Sequence, residues 1–133
     1  MITIVVTAAV VEEDGRLLVT KRQKGTHLEG YWEFPGGKCD PGETHPACLA
    51  RELREELAVS AVIGDELFTT THAYPDRHVE LHFFRCRLLG RPSPQIGQDM
   101  RWVTREELAG LHFPPADAEL IELLLKDSRS ADL

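Results

Sequence analysis

Basic residues are scarce in this chain of 133 residues: 15 lysines and arginines stand against 22 aspartates and glutamates, a formal net charge of −7. Binding to the phosphates of a nucleic-acid polymer needs the opposite balance, so no such partner is expected. No stretch of about eighteen consecutive apolar residues occurs, so no membrane-spanning helix is expected. The first residues, Ile2-Thr3-Ile4-Val5-Val6, read directly as a strand and not as the charged region and cleavage site of a secretory leader. Cysteine is also sparse. Cys39, Cys48 and Cys86 are odd in number and lack zinc-ligand spacing, which is expected to leave free thiols in a reducing cytoplasm. What is present is a 42% hydrophobic content, enough for one compact domain over residues 1–127, with a frayed tail over 128–133.

Strand and helix patterns interleave, which makes the class α/β. Ile2 to Val11 is rich in β-branched residues and reads as a strand; Glu13-Asp14-Gly15 turns it back into Leu17-Leu18-Val19-Thr20. Tyr31-Trp32-Glu33-Phe34 is a short aromatic strand stopped by Pro35-Gly36-Gly37. Thr44 is placed to cap a helix with Pro46 in its first turn, and Leu49, Leu53 and Leu57 form the apolar stripe of that helix. Ala61 to Thr71 and His78 to Leu89 follow as strands. In the second, Val79, Leu81 and Phe83 face one way; His78, Glu80, His82 and Phe84 face the other, read as an ordinary outer face and not a zinc site. Met100 to Val103 is a brief strand, and Thr104 to Glu107 has the form of a capping box. Pro114-Pro115 opens a last helix whose Leu120, Ile121, Leu124 and Leu125 are expected to pack inward.

One segment carries chemistry. Glu52, Glu55 and Glu56 fall at i, i+3 and i+4, on one face within a single helical turn. Like charges at those separations cost about 0.2–0.5 kcal/mol per pair. A hard divalent cation reverses that sign, because Mg²⁺ takes carboxylate oxygens and bridges protein to phosphate. From Gly37 the chain reads Gly, five residues, Glu43, seven residues, Arg51-Glu52-Leu53, one residue, Glu55-Glu56, one residue, Ala58-Val59. This resembles the Nudix box. Ala58 stands where the family usually has glycine, which most easily takes the left-handed turn at a helix end.

The resemblance implies an α/β/α sandwich around a mixed sheet, and a metal site made by Glu52, Glu55, Glu56 and the backbone carbonyl near Gly36, filled by Mg²⁺ or by Mn²⁺. Gly36 and Gly37 are expected to let backbone approach phosphate and to take unusual dihedrals. Arg51, inside the catalytic motif, is expected to pair with Glu43 and fix the loop against the helix. Arg22 and Lys38 are the phosphate-contact candidates. In the MutT-like branch a loop glutamate often joins the metal site; alignment on Gly97-Gln98 and Arg101-Trp102 puts Ile96 there. The base that deprotonates water is therefore expected to be Glu55 or Glu56, with Asp99 as a substitute.

The likeness to MutT-type enzymes extends to Trp32–Lys38, Tyr74-Pro75-Asp76-Arg77-His78 and Phe113-Pro114-Pro115-Ala116-Asp117. It implies base contacts from Phe34, Asp76, Arg77 and Asp117. Asp117 stands where that branch often has Asn. Asn donates and accepts together, matching O6 and N7–H of 8-oxoguanine; an ionised Asp only accepts, which suits the amino group of cytosine. A protonated, buried Asp imitates Asn. The expected activity is a nucleoside triphosphate pyrophosphohydrolase releasing monophosphate and pyrophosphate, first for 8-oxo-dGTP and alternatively for CTP or modified dCTP. The rivals are an inactive nucleotide-binding module, and hydrolysis of a nucleotide sugar or dinucleotide. A monomer or homodimer is expected.

Overall fold

The structure, a computed structural model, describes residues 2–126. Strand β1 (Thr3–Glu13) is its axis. At its far end β1 turns through Asp14 and Gly15, both left-handed with φ of 52° and 76°, into β2 (Arg16–Lys21). Two consecutive positive φ values match the twist of a tight hairpin, which explains Asp-Gly there. Along the rest of its length β1 pairs in parallel with β6 (Arg77–Leu88), from Thr3↔His78 to Val11↔Cys86. β6 in turn pairs antiparallel with β5 (Ala61–Tyr74).

Two short strands flank this frame. β3 (Trp32–Glu33) and β7 (Met100–Val103) both pair with β2. The Gly36-Gly37-Lys38 segment, whose glycines are expected to stop the preceding strand, is itself a strand, β4, antiparallel to Val6-Thr7-Ala8 of β1. The result is a mixed seven-stranded sheet with one parallel junction.

Each face of the sheet carries its own core. Helix α1 (His45–Leu57) lays Leu49, Leu53 and Leu57 against Ala9, Val11, Leu18, Phe84, Cys86 and Leu88. Helix α2 (Arg105–Ala109) and helix α3 (Ala118–Lys126) cover the other face through Leu108, Leu120 and Leu124, against Val10, Val19, Phe34, Leu81 and Phe83. This is the α/β/α sandwich. Thr44 caps α1 by accepting from the Ala47 N–H, and Thr104 and Glu107 form the capping box of α2.

Several local expectations are corrected. The last helix begins at Ala118, after a 3₁₀ turn at Pro115–Asp117; Leu120 and Leu124 are buried in it, while Ile121 and Leu125 are half-buried at its edge. The His78–Glu80–His82 face of β6 is not an outer face: it belongs to the side that α1 covers, and His82 is buried. Strand alternation identifies two faces but not which of them a helix will cover. The expected thiols at Cys39 and Cys48 are instead joined as a disulfide that ties the loop after β4 to α1; Cys86 remains free and buried. The expected tail over 128–133 lies outside the described residues.

Candidate active site

A cavity of about 400 Å³ opens between the two halves of the sheet. Its floor is apolar, from Val6, Val79, Leu81, Phe83 and Phe34. One wall is acidic and glycine-rich, with Gly36, Gly37, Glu52 and Glu56; Lys38 and Arg22 stand at the same wall. At the far end lie Tyr74, Arg77 and Asp117. An apolar slot with charge at both ends suits a flat base carrying a polyphosphate.

The helix and strand β4 define the acidic wall together. Neither Gly36 nor Gly37 has a positive φ, so the expected unusual dihedrals are absent. Their smallness serves close packing instead: a Cβ on Gly36 would overlap the Thr7 carbonyl oxygen, and one on Gly37 would overlap the Glu52 carboxylate. Glycine at 37 is therefore what admits the Glu52 carboxylate beside the strand.

Arg51 organises the three glutamates unequally. Its guanidinium donates to both oxygens of Glu43, at 2.7 and 2.8 Å, in the fork geometry expected for that pair. It also donates to Glu52 at 2.9 Å, to Glu55 at 3.2 Å and to the Lys38 carbonyl at 3.1 Å. The Arg51 guanidinium holds Glu43 down at about 2, and the carboxylates around Arg51 raise its own pKa. Glu55 turns out toward Arg51 and solvent and is not in the cavity wall. Glu56 forms no ion pair among the described residues. Burial, then the charges of Glu52 and Glu33, push it up to about 7. Burial raises Glu52 too, against the pull of Arg51.

Ala58 takes the left-handed conformation, φ 50° and ψ 40°, so α1 ends as it would with glycine. Beyond it, the loop holding Ile96 is pinned to the helix end. The Gln95 N–H donates to the Glu56 carbonyl at 2.9 Å, and the buried Gln98 amide reaches the same carbonyl. Ile96 is exposed, and neither it nor Asp99 lines the cavity.

At the base end, Phe34 packs edge-on to Phe83 and tilted against Phe113. Asp117 is 5% exposed, and burial followed by the charge of Glu33 lifts it to about 7. Arg77 faces the cavity, whereas Asp76 does not line it and instead accepts from Arg77 at 2.7 Å. Arg22 donates to Glu33 at 3.0 Å and to the His27 carbonyl. Glu33, to which the sequence assigns no role, also lines the cavity, and its charge raises both Glu56 and Asp117. Its signal is its place between the buried Trp32 and Phe34: the alternate position of a strand with a core on one face points to the other side.

The NUDIX domain family model matches residues 6–123, and the chain belongs to that family of hydrolases. A CTP pyrophosphohydrolase of Escherichia coli K12 is 34% identical over 130 residues, 96% of each chain. An 8-oxo-dGTP diphosphatase of Haemophilus influenzae is 33% identical over 127 residues, 94% of this chain and 93% of that one. The solution structure of the E. coli ORF135 protein superposes with a TM-score of 0.85 at 32% identity, covering 98% of this chain and 94% of that one.

Hydrolases of this family depend on a divalent metal. The donors fit one: Glu56 and Glu52 crowd carboxylate charge at a half-buried wall, and Glu56 has no ion-pair partner among the described residues. Among the described residues no helix is long and apolar enough to cross a membrane.

Proposed function

We propose that this chain hydrolyses nucleoside triphosphates to the monophosphate and pyrophosphate, with 8-oxo-dGTP as the preferred substrate and Mg²⁺ as the metal. Glu52 and Glu56, with the Gly36 carbonyl, hold the cation, which when bound neutralises phosphate charge and acidifies water. Mn²⁺ offers the same oxygen-ligand chemistry. Lys38 and Arg22 stand at the acidic wall to meet phosphate oxygens. Glu56, at the cavity wall and without an ion-pair partner among the described residues, is the carboxylate placed to take a proton from water aimed in line at a phosphorus. Arg51 positions Glu52 and the loop and does not itself reach the cavity. Phe34 offers a face for the base, and Arg77 closes the far end.

The observation that carries the substrate reading is the buried Asp117 at the base end. A carboxyl lifted to about 7 is available in the protonated form at neutral pH. It then donates and accepts, as the O6 and N7–H edge of 8-oxoguanine requires. The second reading is a CTP pyrophosphohydrolase, favoured by the similarity to the E. coli protein of that name and by the acceptor that ionised Asp117 presents. Comparing kcat/KM for 8-oxo-dGTP and CTP with product analysis decides between them; a decisive CTP advantage refutes the ordering. Pyrophosphate release only with Mg²⁺ separates an enzyme from a silent binding module. A greater rate on a nucleotide sugar or dinucleotide would move the substrate class. We also infer a cytoplasmic monomer or homodimer; the charge of −7 supports the absence of a nucleic-acid polymer as partner.

A further inference from the structure

On the sheet face away from the cavity, His45, Glu66 and His82 converge from three elements: the first turn of α1, β5 and β6. One ligand atom from each lies within 4.8 Å of the others. Leu81 and Phe83, the sequence neighbours of His82, line the substrate cavity, so His82 itself points to the opposite side. The cluster is thus separate from Glu52 and Glu56.

We propose that His45, Glu66 and His82 form a second cation site, selective for a transition-metal dication of the Zn²⁺ type. Two imidazoles and one carboxylate suit Zn²⁺ and its neighbours, while Mg²⁺ prefers oxygen ligands and retained water. The arrangement around His82 is the independent support. Its Nε2 lies 2.7 Å from Glu80 Oε2 and its Nδ1 lies 3.0 Å from Glu66 Oε2. A ligating histidine commonly donates its other N–H to a carboxylate, which sets the tautomer and orients the ring. Glu80 supplies that acceptor and leaves Nδ1 for the metal. The 3.0 Å separation is near the ligand–ligand edge of roughly 3.3 Å that bonds of about 2.0–2.1 Å give in a tetrahedron.

The third ligand is in reach. The His45 ring lies 4.0 Å, centroid to centroid, from that of His82 and is half-buried at the start of the helix. Glu66 sits at the register shift in the β5–β6 pairing, between Ile63 and Phe68, and the Thr69 hydroxyl donates to it. A bulge re-aims a side chain that regular alternation would direct elsewhere. His82 is buried while Glu66 is exposed, so the site has a closed base and an open mouth where water takes the fourth position. Occupancy clasps the start of α1 to β5 and β6.

Co²⁺ is the probe, because a tetrahedral site that holds Zn²⁺ gives it intense visible absorption. The titration is made on the Glu52→Gln/Glu56→Gln double variant in excess Mg²⁺, which removes the cavity site from the readout. One equivalent of Co²⁺ with tetrahedral bands, displaced by Zn²⁺, is the expected result. His45→Ala and His82→Gln abolish the bands, and Glu80→Gln weakens the affinity about 10–100-fold. Because His82 is buried, circular dichroism accompanies each variant; if His82→Gln does not fold, the half-buried His45→Ala decides alone. Absence of the bands in the double variant, or their survival in folded His45→Ala, overturns the proposal.

Discussion

Asp117→Asn is the substitution that most directly separates the two substrate readings, and its consequences follow from burial. The Asp117 carboxyl is displaced from 3.8 to about 7, chiefly by desolvation. At roughly 1.4 kcal/mol per pKa unit, that displacement is on the order of 4 kcal/mol of differential stability. The folded protein holds the proton between those pH values while the unfolded chain has released it. The contribution is therefore fully present below about 3.8, declines as pH rises, and is gone above about 7. The amide of the variant has no such proton to lose, so the difference in unfolding free energy between variant and parent should shift toward the variant across that window. Denaturant melts from pH 5 to 8 measure it. Catalysis should follow the same titration. In the parent, kcat/KM for 8-oxo-dGTP falls relative to that for CTP as pH passes about 7, because donation to the base is lost. In Asp117→Asn the ratio is flat and favours 8-oxo-dGTP throughout. A parent ratio independent of pH between about 6 and 8, or an Asp117→Asn variant that prefers CTP, refutes the reasoning.

Three other outcomes are expected. Glu56→Gln lowers turnover about 10²–10⁴-fold, the range for a lost acid–base group, while Asp99→Asn changes it little; steady-state rates at saturating Mg²⁺ check the order, and a larger loss at Asp99 reverses the assignment. Reduction of the Cys39–Cys48 bond, which spans a separation of nine residues, lowers unfolding free energy by about 2–3 kcal/mol on chain-entropy grounds; melts with and without a reductant read it, and identical curves contradict the tether. Ala58→Gly relieves a left-handed alanine at the end of α1 and raises stability by about 0.5–1 kcal/mol in denaturant titration.

The acidic box was legible because Glu52, Glu55 and Glu56 share one helical turn and the run from Gly37 to Val59 resembles the Nudix box. Thr44, Pro46 and the leucine stripe announced the helix locally, and its ion pair to Glu43 follows from charge at a fixed separation. What escaped depended on approach between distant segments. The cysteine bond requires the loop after β4 to fold back on α1, and nothing in the interval between Cys39 and Cys48 requires that. The division of labour among the glutamates was equally hidden. Arg51 draws Glu55 outward, pairs with Glu52 and leaves Glu56 without an ion pair at the wall, a choice made by the guanidinium's four-way contacts. For Gly37 the sequence suggests dihedral freedom, whereas its value is the space it gives Glu52. Glu33 and His82 share one cause: alternation marks a face without naming its neighbour.

Magnesium titration of pyrophosphate release, in the parent and in Glu52→Gln/Glu56→Gln, bears most directly on the reading of the acidic wall. The parent should show no release without the metal and saturable release with it, and the double variant should lose at least about 10²-fold at every magnesium concentration. Release without magnesium, or a double variant as active as the parent, would contradict it.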